Sequence, residues 1–280
     1  VSKPASQAVS QLLSQSKSQR SELETRFADA GGLLGVFSGK AQAYARARPG
    51  YPESLYAHLE QCLGIAGPLT VADVGAGTGL LTQGWLERGH RVVAVEPNAE
   101  MRAAADALLA GNPHYRSSGG SAEATGLEAD SIDLITAAQA FHWFDPSAFR
   151  AECQRILRSR GLVALIWNDR GNDALNNELT ALFAEFGGAK RATMAASNVK
   201  NENITQFFGG DVLEWTTTHT QSLDAAGLAA LAFSRSFMPR PETPQGAAAA
   251  RALQSLFDAH AVDGHVQVSY LTRVFAGRLA

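Results

Sequence analysis

Cysteine is nearly absent: only Cys62 and Cys153 occur in 280 residues. They lie far apart, outside any CxxC pairing, and have no histidine at ligand spacing. A disulfide framework and a zinc site are therefore excluded, no metal is expected, and both thiols read as free and buried. Long hydrophobic runs are missing as well. No stretch approaches the 18 or so apolar residues that a membrane span requires, so no membrane partner is expected. Nor is there an excess of one charge, with 24 Lys+Arg against 27 Asp+Glu and a net charge of −3. Such a balance leaves no basic footprint for nucleic acid and favours small-molecule partners, with the chain a monomer or homodimer. The first residues are rich in Ser, Gln and Lys and contain no apolar h-region. They do not read as a secretory signal, and a cytoplasmic location is expected.

Hydrophobic residues make up 45% of the chain, enough for a substantial core. Residues 1–35 read as a polar tail or a loosely docked helix, and 36–280 as one domain. A helix-compatible stretch from Lys40 to Arg48 is stopped by Pro49-Gly50. Leu55, Tyr56, Leu59 and Leu63 form the apolar stripe of a second helix, ended by Gly64. From Leu69 onward short apolar strands alternate with helices: Leu69–Val74, Leu80–Arg88, Arg91–Val95, Met101–Leu109, Ser131–Thr136, Pro146–Leu157 and Gly161–Trp167. Continuous apolar strands separated by helices imply a parallel sheet covered on both faces, a doubly wound α/β architecture. In the last third, Asn176–Phe186 reads as helix and Gly187–Gly210 as irregular. Asp224 is placed as the N-cap of a helix through Ala232, and Gln245–His260 as a long helix. Leu213–Leu223 and Val266–Ala276 have the composition of strands that would add an antiparallel edge to the sheet.

The sharpest constellation is VADVGAGTGLLT followed by VVAVEPN. Gly75, Gly77 and Gly79 stand where a strand must turn into a helix while a ligand approaches the backbone. Glu96 stands about 20 residues further on, at the carboxyl end of the next strand, where a carboxylate accepts ribose hydroxyls. Dinucleotide loops read GxGxxG, whereas this one reads GxGxG, with Leu80 at the sixth position. Asp73 also puts negative charge near the ligand, which suits an ammonium-bearing cofactor better than a pyrophosphate. Both departures point to S-adenosylmethionine (SAM).

The segments VADVGAGTGLLT, VVAVEPNAEM, SAEATGLEADSIDLI, AQAFHWFDP and LRSRGLVALIWN, in this order, resemble the class I SAM-dependent methyltransferases. The similarity is greatest to the type 11, trans-aconitate-methyltransferase-like small-molecule branch. It covers Phe37 to Asn168 clearly and the C-terminal third loosely. The resemblance implies a Rossmann-like, mostly parallel seven-stranded sheet with an antiparallel C-terminal edge strand. It also implies SAM as cofactor and S-adenosylhomocysteine (SAH) as product. Asp73, Gly75, Ala76 and Gly77 would cradle the methionine portion, and Glu96 would bind the ribose. Pro97 and Met101 would pack around the adenine, and Ser121, Ala122 and Glu123 would meet its edge. Where the family often has an aspartate to hold the adenine amino group, this chain has Ser121. Ala138 and Gln139 resemble the segment beside the sulfonium, and Arg48, on a helix that reaches the cofactor in this branch, would pair with the SAM carboxylate.

For the acceptor side, His142 is the candidate general base, and Tyr44, one helical turn from Arg48, is a second candidate catalytic group. Phe141 and Trp143 would offer ring faces to the cation, and Arg235 would recognise a substrate carboxylate. Acceptor-side elaboration is expected around residues 187–211 and 233–262. The resulting expectation is a methyltransferase acting in-line on an O, N, S or C nucleophile of a small metabolite. An NAD-dependent oxidoreductase on a related sheet and a non-catalytic SAM-binding protein remain the alternatives.

Overall fold

The structure is a computed structural model and describes residues 47–64, 67–196 and 201–280. Its elements run α1 (Glu53–Leu63), β1 (Thr70–Val74), α2 (Leu80–Glu87), β2 (Arg91–Val95), α3 (Ala99–Leu109), β3 (Tyr115–Ser118) and β4 (Ile132–Ala138). A 3₁₀ turn at Phe141–Trp143 follows, then α4 (Pro146–Ile156), β5 (Leu157–Arg170), α5 (Ala174–Ala196) and α6 (Asn201–Phe208). The chain closes with β6 (Leu213–Leu223), α7 (Ala225–Phe233), α8 (Pro244–His260) and β7 (Val266–Gly277).

The strands form one seven-stranded sheet in the order β3-β2-β1-β4-β5-β7-β6. Pairings from β3 through β5 are parallel, while β7 is antiparallel to both β5 and β6. The antiparallel C-terminal edge is thus a two-strand addition, with β6 as the rim. Burial explains why the parallel strands are apolar throughout. Alternate residues of β5 face opposite layers, Val163 and Leu165 packing with Phe149 and Phe207, and Ala164 and Ile166 with Leu59 and Trp85. A third cluster, built on Leu179, Phe183, Leu228, Leu253 and Tyr270, closes the C-terminal side over β6 and β7.

Local signals behave as their chemistry dictates. Gly64 ends α1 in the left-handed conformation, with φ 59°. Asn98, Asp145, Asp224 and Thr243 cap α3, α4, α7 and α8 through side-chain oxygens. The irregular region expected over 187–210 is corrected. α5 continues past a kink at Gly188 (φ 49°, ψ −140°), and α6 forms because Ile204, Phe207 and Phe208 share a buried face. Strand β3 was not anticipated, since YRSS carries no apolar run. Among the described residues, no helix is long and apolar enough to cross a membrane. The 1–35 segment and the Lys40–Arg48 helix, save Ala47 and Arg48, lie outside the described residues.

Candidate cofactor and acceptor site

Three segments meet at the carboxyl ends of β1, β2 and β4, the edge at which α/β sheets bind ligands. The first is the glycine loop. Gly75 and Ala76 donate their N–H groups to the Val95 carbonyl at 2.8 and 3.2 Å, which ties the loop to the end of β2. Gly75 has φ +70°, and a Cβ there would come 2.6 Å from Ala140 Cβ. The loop therefore packs directly on the segment after β4 and admits only glycine at that point. At Gly77 (φ +59°) a Cβ would meet only Met101 Cε, at 3.6 Å, so the space above it is open apart from the methionine methyl.

Asp73 lies beneath this loop, 1% exposed. Its carboxylate accepts from Thr82 Oγ1 at 2.7 Å and from Thr136 Oγ1 at 2.9 Å, joining β1 to α2 and β4. Burial pushes its pKa up to about 6; the two hydroxyls oppose the shift and the nearby Glu96 adds to it. Both hydroxyl contacts are internal, so Asp73 braces the loop from below.

Glu96 faces the loop from the end of β2. Oε2 accepts the Gly77 N–H at 2.9 Å and Oε1 the Asn98 N–H at 2.8 Å. Each oxygen keeps a further lone pair for another donor. Burial raises the Glu96 pKa, and the two backbone N–H groups together with Arg102 pull it down. Arg102 also donates to the Glu96 carbonyl at 2.6 Å. Met101, 4% exposed, is carried over Gly77 by α3, and Pro97 is partly buried at the turn between them.

The second segment is the turn at Ser121–Ala124, whose end residues exchange backbone hydrogen bonds of 3.1 and 3.3 Å. Ala122 is buried, and Glu123 Oε1 accepts the Asp145 N–H at 2.9 Å. Glu123 thereby links this turn to the third segment, the one that follows β4.

That third segment begins with an outlier: Gln139 has φ +55°, uncommon for a residue with a side chain. Its N–H donates to the Ile166 carbonyl at 2.9 Å and its side-chain amide to the Asn168 carbonyl at 3.0 Å. Ala138, just before it, is partly buried. His142 is partly buried and lies beside Trp143, ring centroids 4.8 Å apart. Burial lowers its pKa to about 4, so the imidazole is neutral at pH 7. The Phe141 ring is 2% exposed and packs 5.0 Å from Phe207 and 6.2 Å from Phe149, within the hydrophobic core.

Arg48 and Arg235 both lie close enough to Tyr270, which pairs with Arg170 in the sheet, to act on its hydroxyl. Asn168 donates to the Gly50 carbonyl at 3.2 Å while accepting from Thr272 Oγ1 at 2.6 Å, which brings the 48–50 segment to the end of β5. Arg235 lies over the Phe183 ring, 4.8 Å from its centroid. Tyr44 lies outside the described residues. Sequence reasoning assigned no role to Thr82, Thr136, Asn168, Arg170 or Thr272. The available signal was weak: WNDR puts three polar residues in a row at the carboxyl end of an apolar strand. Among the described residues, no group of three or more His, Cys, Asp or Glu is arranged to hold a metal.

A family model described as a methyltransferase domain (type 11) matches residues 72–165, from β1 through most of β5. An uncharacterized methyltransferase of Mycobacterium tuberculosis, Rv3342, is 41% identical over 134 residues, 48% of this chain and 52% of the relative. An uncharacterized methyltransferase of Schizosaccharomyces pombe is 35% identical over 130 residues, 46% of this chain and 51% of the relative. The chain thus spans about half the length of the curated relatives it matches. Among solved structures, one described as a type II methyltransferase from Anaeromyxobacter dehalogenans is similar with TM-score 0.60 and 24% identity, covering 83% of this chain and 98% of that one. The plantazolicin methyltransferase BpumL, solved with SAH, is similar with TM-score 0.51 and 10% identity, covering 97% and 100%. The methyltransferase-domain model thus matches the stretch that holds the glycine loop and Glu96, and the fold is similar to that of solved methyltransferases.

Proposed function

We propose that the protein transfers the methyl group of SAM, by in-line displacement, to an O, N, S or C nucleophile of a small-molecule acceptor. The observation that carries this reading is Glu96. It is a buried carboxylate held against the glycine loop by the Gly77 N–H on Oε2 and fixed in its own turn by the Asn98 N–H on Oε1. That arrangement suits a ligand bearing vicinal hydroxyls, with Gly77 and Met101 bordering the space an adenosine would fill. Asp73 contributes negative charge under the loop, favourable to a cation and unfavourable to a pyrophosphate. The NAD alternative is disfavoured by this charge, by the GxGxG spacing and by the family match.

SAM supplies a methyl group on a sulfonium whose leaving group is a neutral thioether, so the protein's main task is alignment. Holding two reactants in line is worth about 7–11 kcal/mol, against about 3–5 kcal/mol from a positioned base. Gln139, fixed in its left-handed conformation by the Ile166 and Asn168 carbonyls, would shape the wall beside the reacting methyl. His142, kept neutral by burial, adds no positive charge near a sulfonium and has a free lone pair for an acceptor proton. Arg48 would hold the SAM carboxylate. The acceptor side is assigned to residues 187–211 and 233–262.

The test is transfer from methyl-labelled SAM to a metabolite extract, separated into small-molecule and macromolecular fractions. Label is expected in the small-molecule fraction. Label confined to nucleic acid or protein would overturn the acceptor class, and label in neither would favour a binding protein.

A further inference from the structure

The two edges of the sheet are built differently. β3 ends it on one side with four residues, one of them the exposed Arg116, and is short and charged, as edges that resist pairing are. β6 ends it on the other side with eleven, LEWTTTHTQSL, which include no proline, lysine, arginine or glycine and a single carboxylate, Glu214. Its pairing with β7 runs through all eleven positions without a bulge, so the strand is regular to both ends. Among the described residues no strand pairs with its outer side, where alternate backbone N–H and C=O groups point outward. One face of β6 is already used. Trp215 stacks on His58 with ring centroids 4.4 Å apart, Thr217 meets Ser54 at 2.9 Å, and Gln221 donates to the Ala47 carbonyl at 3.2 Å. The other face, formed by Glu214, Thr216, Thr218, Thr220 and Ser222, is exposed. Apolar groups mark both ends of the strand. Leu213, its first residue, is 60% exposed, and Val262, 73% exposed, borders the same cleft as Ser222 at the other end.

We propose that β6 pairs antiparallel with β6 of a second copy of this chain, about a two-fold axis at Thr218, and joins the two sheets edge to edge. The strand is self-complementary in that register. Thr218 faces the partner's Thr218, Thr216 the partner's Thr220, and Glu214 the partner's Ser222. Threonines thus ladder across the axis and no like charges oppose each other. Leu213 falls opposite the partner's Leu223, next to the exposed Val262 of that copy, and the symmetry makes the same contact twice. Eleven residues span about 36 Å and form roughly ten backbone hydrogen bonds with such a partner. With the apolar ends included, the contact buries on the order of 1,000 Å² in total, the lower end for specific interfaces, and a dissociation constant in the micromolar range follows. The backbone edge sets the register, and Leu213 and Val262 supply apolar surface. The inference depends on neither the methyl donor nor the acceptor.

The test is sedimentation velocity of the full chain from about 1 to 200 μM, a range that brackets a micromolar constant. A species of twice the chain mass is expected to grow with concentration. Thr218→Lys sets a charge against its own copy at the axis and should weaken the dimer about tenfold or more. Thr218→Glu should do the same alone, whereas an equimolar mixture of the two variants should recover the dimer, because lysine then faces glutamate. Leu213→Ser and Val262→Ser should each weaken it about fivefold. Thermal unfolding at the lowest concentration should be alike for all four variants and wild type, reporting an intact fold. A chain that stays monomeric to about 200 μM, or a dimer that neither Thr218→Lys nor Leu213→Ser weakens, overturns the proposal. Slow amide exchange along β6 in such a monomer would assign its cover to another segment of the same chain. Failure of the mixed variants to dimerise overturns the two-fold register at Thr218.

Discussion

Gly77 donates its backbone N–H to Glu96 Oε2 at 2.9 Å. One side chain thus holds the glycine loop and, in the proposed function, would supply the acceptor positions for a ribose. The replacement Glu96→Gln tests both roles because it keeps the shape. The new amide NH₂ must face either the Gly77 or the Asn98 N–H, setting donor against donor. SAH affinity should fall by about 10–100-fold, the size of a lost charge-assisted hydrogen bond. Calorimetry measures this directly, and an unchanged affinity would remove Glu96 from the site.

Gly75→Ala introduces a Cβ 2.6 Å from Ala140 Cβ in a backbone with φ +70°. Destabilisation of about 1–3 kcal/mol is expected from strain and overpacking together. Ala140→Gly in the same chain removes the contact but leaves the strained φ, so only part of the loss should return. Denaturant unfolding of the two single variants and the double variant separates the terms. Full rescue would show that the conformation at Gly75 carries no cost.

Asp73 makes stability depend on pH in a direction opposite to most carboxylates. Burial raises its pKa from 3.8 to about 6, so the folded chain holds this proton more tightly than the unfolded chain. Its contribution to stability is complete below pH 3.8 and is lost as pH rises through about 6. Relative to Asp73→Asn, wild type should lose about 3 kcal/mol across that window. Unfolding of both proteins at several pH values from 4 to 7 checks this, and a constant difference would contradict it.

Glu152 behaves conversely. It accepts from Thr125 N at 2.8 Å and from Arg155 Nε at 2.8 Å, and these partners draw its pKa down to about 2. The stability it confers is present above the unfolded value of 4.5 and is lost as pH falls toward 2. Glu152→Gln should therefore destabilise at pH 7 and converge with wild type in strong acid.

His142 should stay neutral well below the usual histidine range, because burial lowers its pKa to about 4. Titration of its ring resonances by NMR, assigned by comparison with His142→Gln, should show no protonation between pH 5 and 8. A midpoint near 6.5 would place the ring in water and remove the argument that it spares a neighbouring sulfonium.

Much of the fold was legible because buried parallel strands must be apolar runs, and β1, β2, β4 and β5 are. Strand β3 was missed because YRSS sits at the sheet edge, where burial does not dictate composition. Helix α6 was missed because only eight residues, between polar and glycine-rich flanks, carry its apolar face. In the candidate site, the contact of Glu96 with the glycine loop was readable from its spacing to that loop. The packing of Phe141 was not, since an aromatic after β4 serves the core or a pocket equally well until Phe149 and Phe207 are seen around it. The contacts of Asn168 with Thr272 and of Arg170 with Phe183 join segments whose meeting is set by the sheet order and the C-terminal layer.

The central claim is that the glycine loop and Glu96 form a SAM site. Calorimetric titration of the full chain with SAH, and separately with NAD, tests it most directly. Saturable one-site binding of SAH with no heat from NAD is the predicted result. NAD binding in the absence of any SAH signal would contradict it.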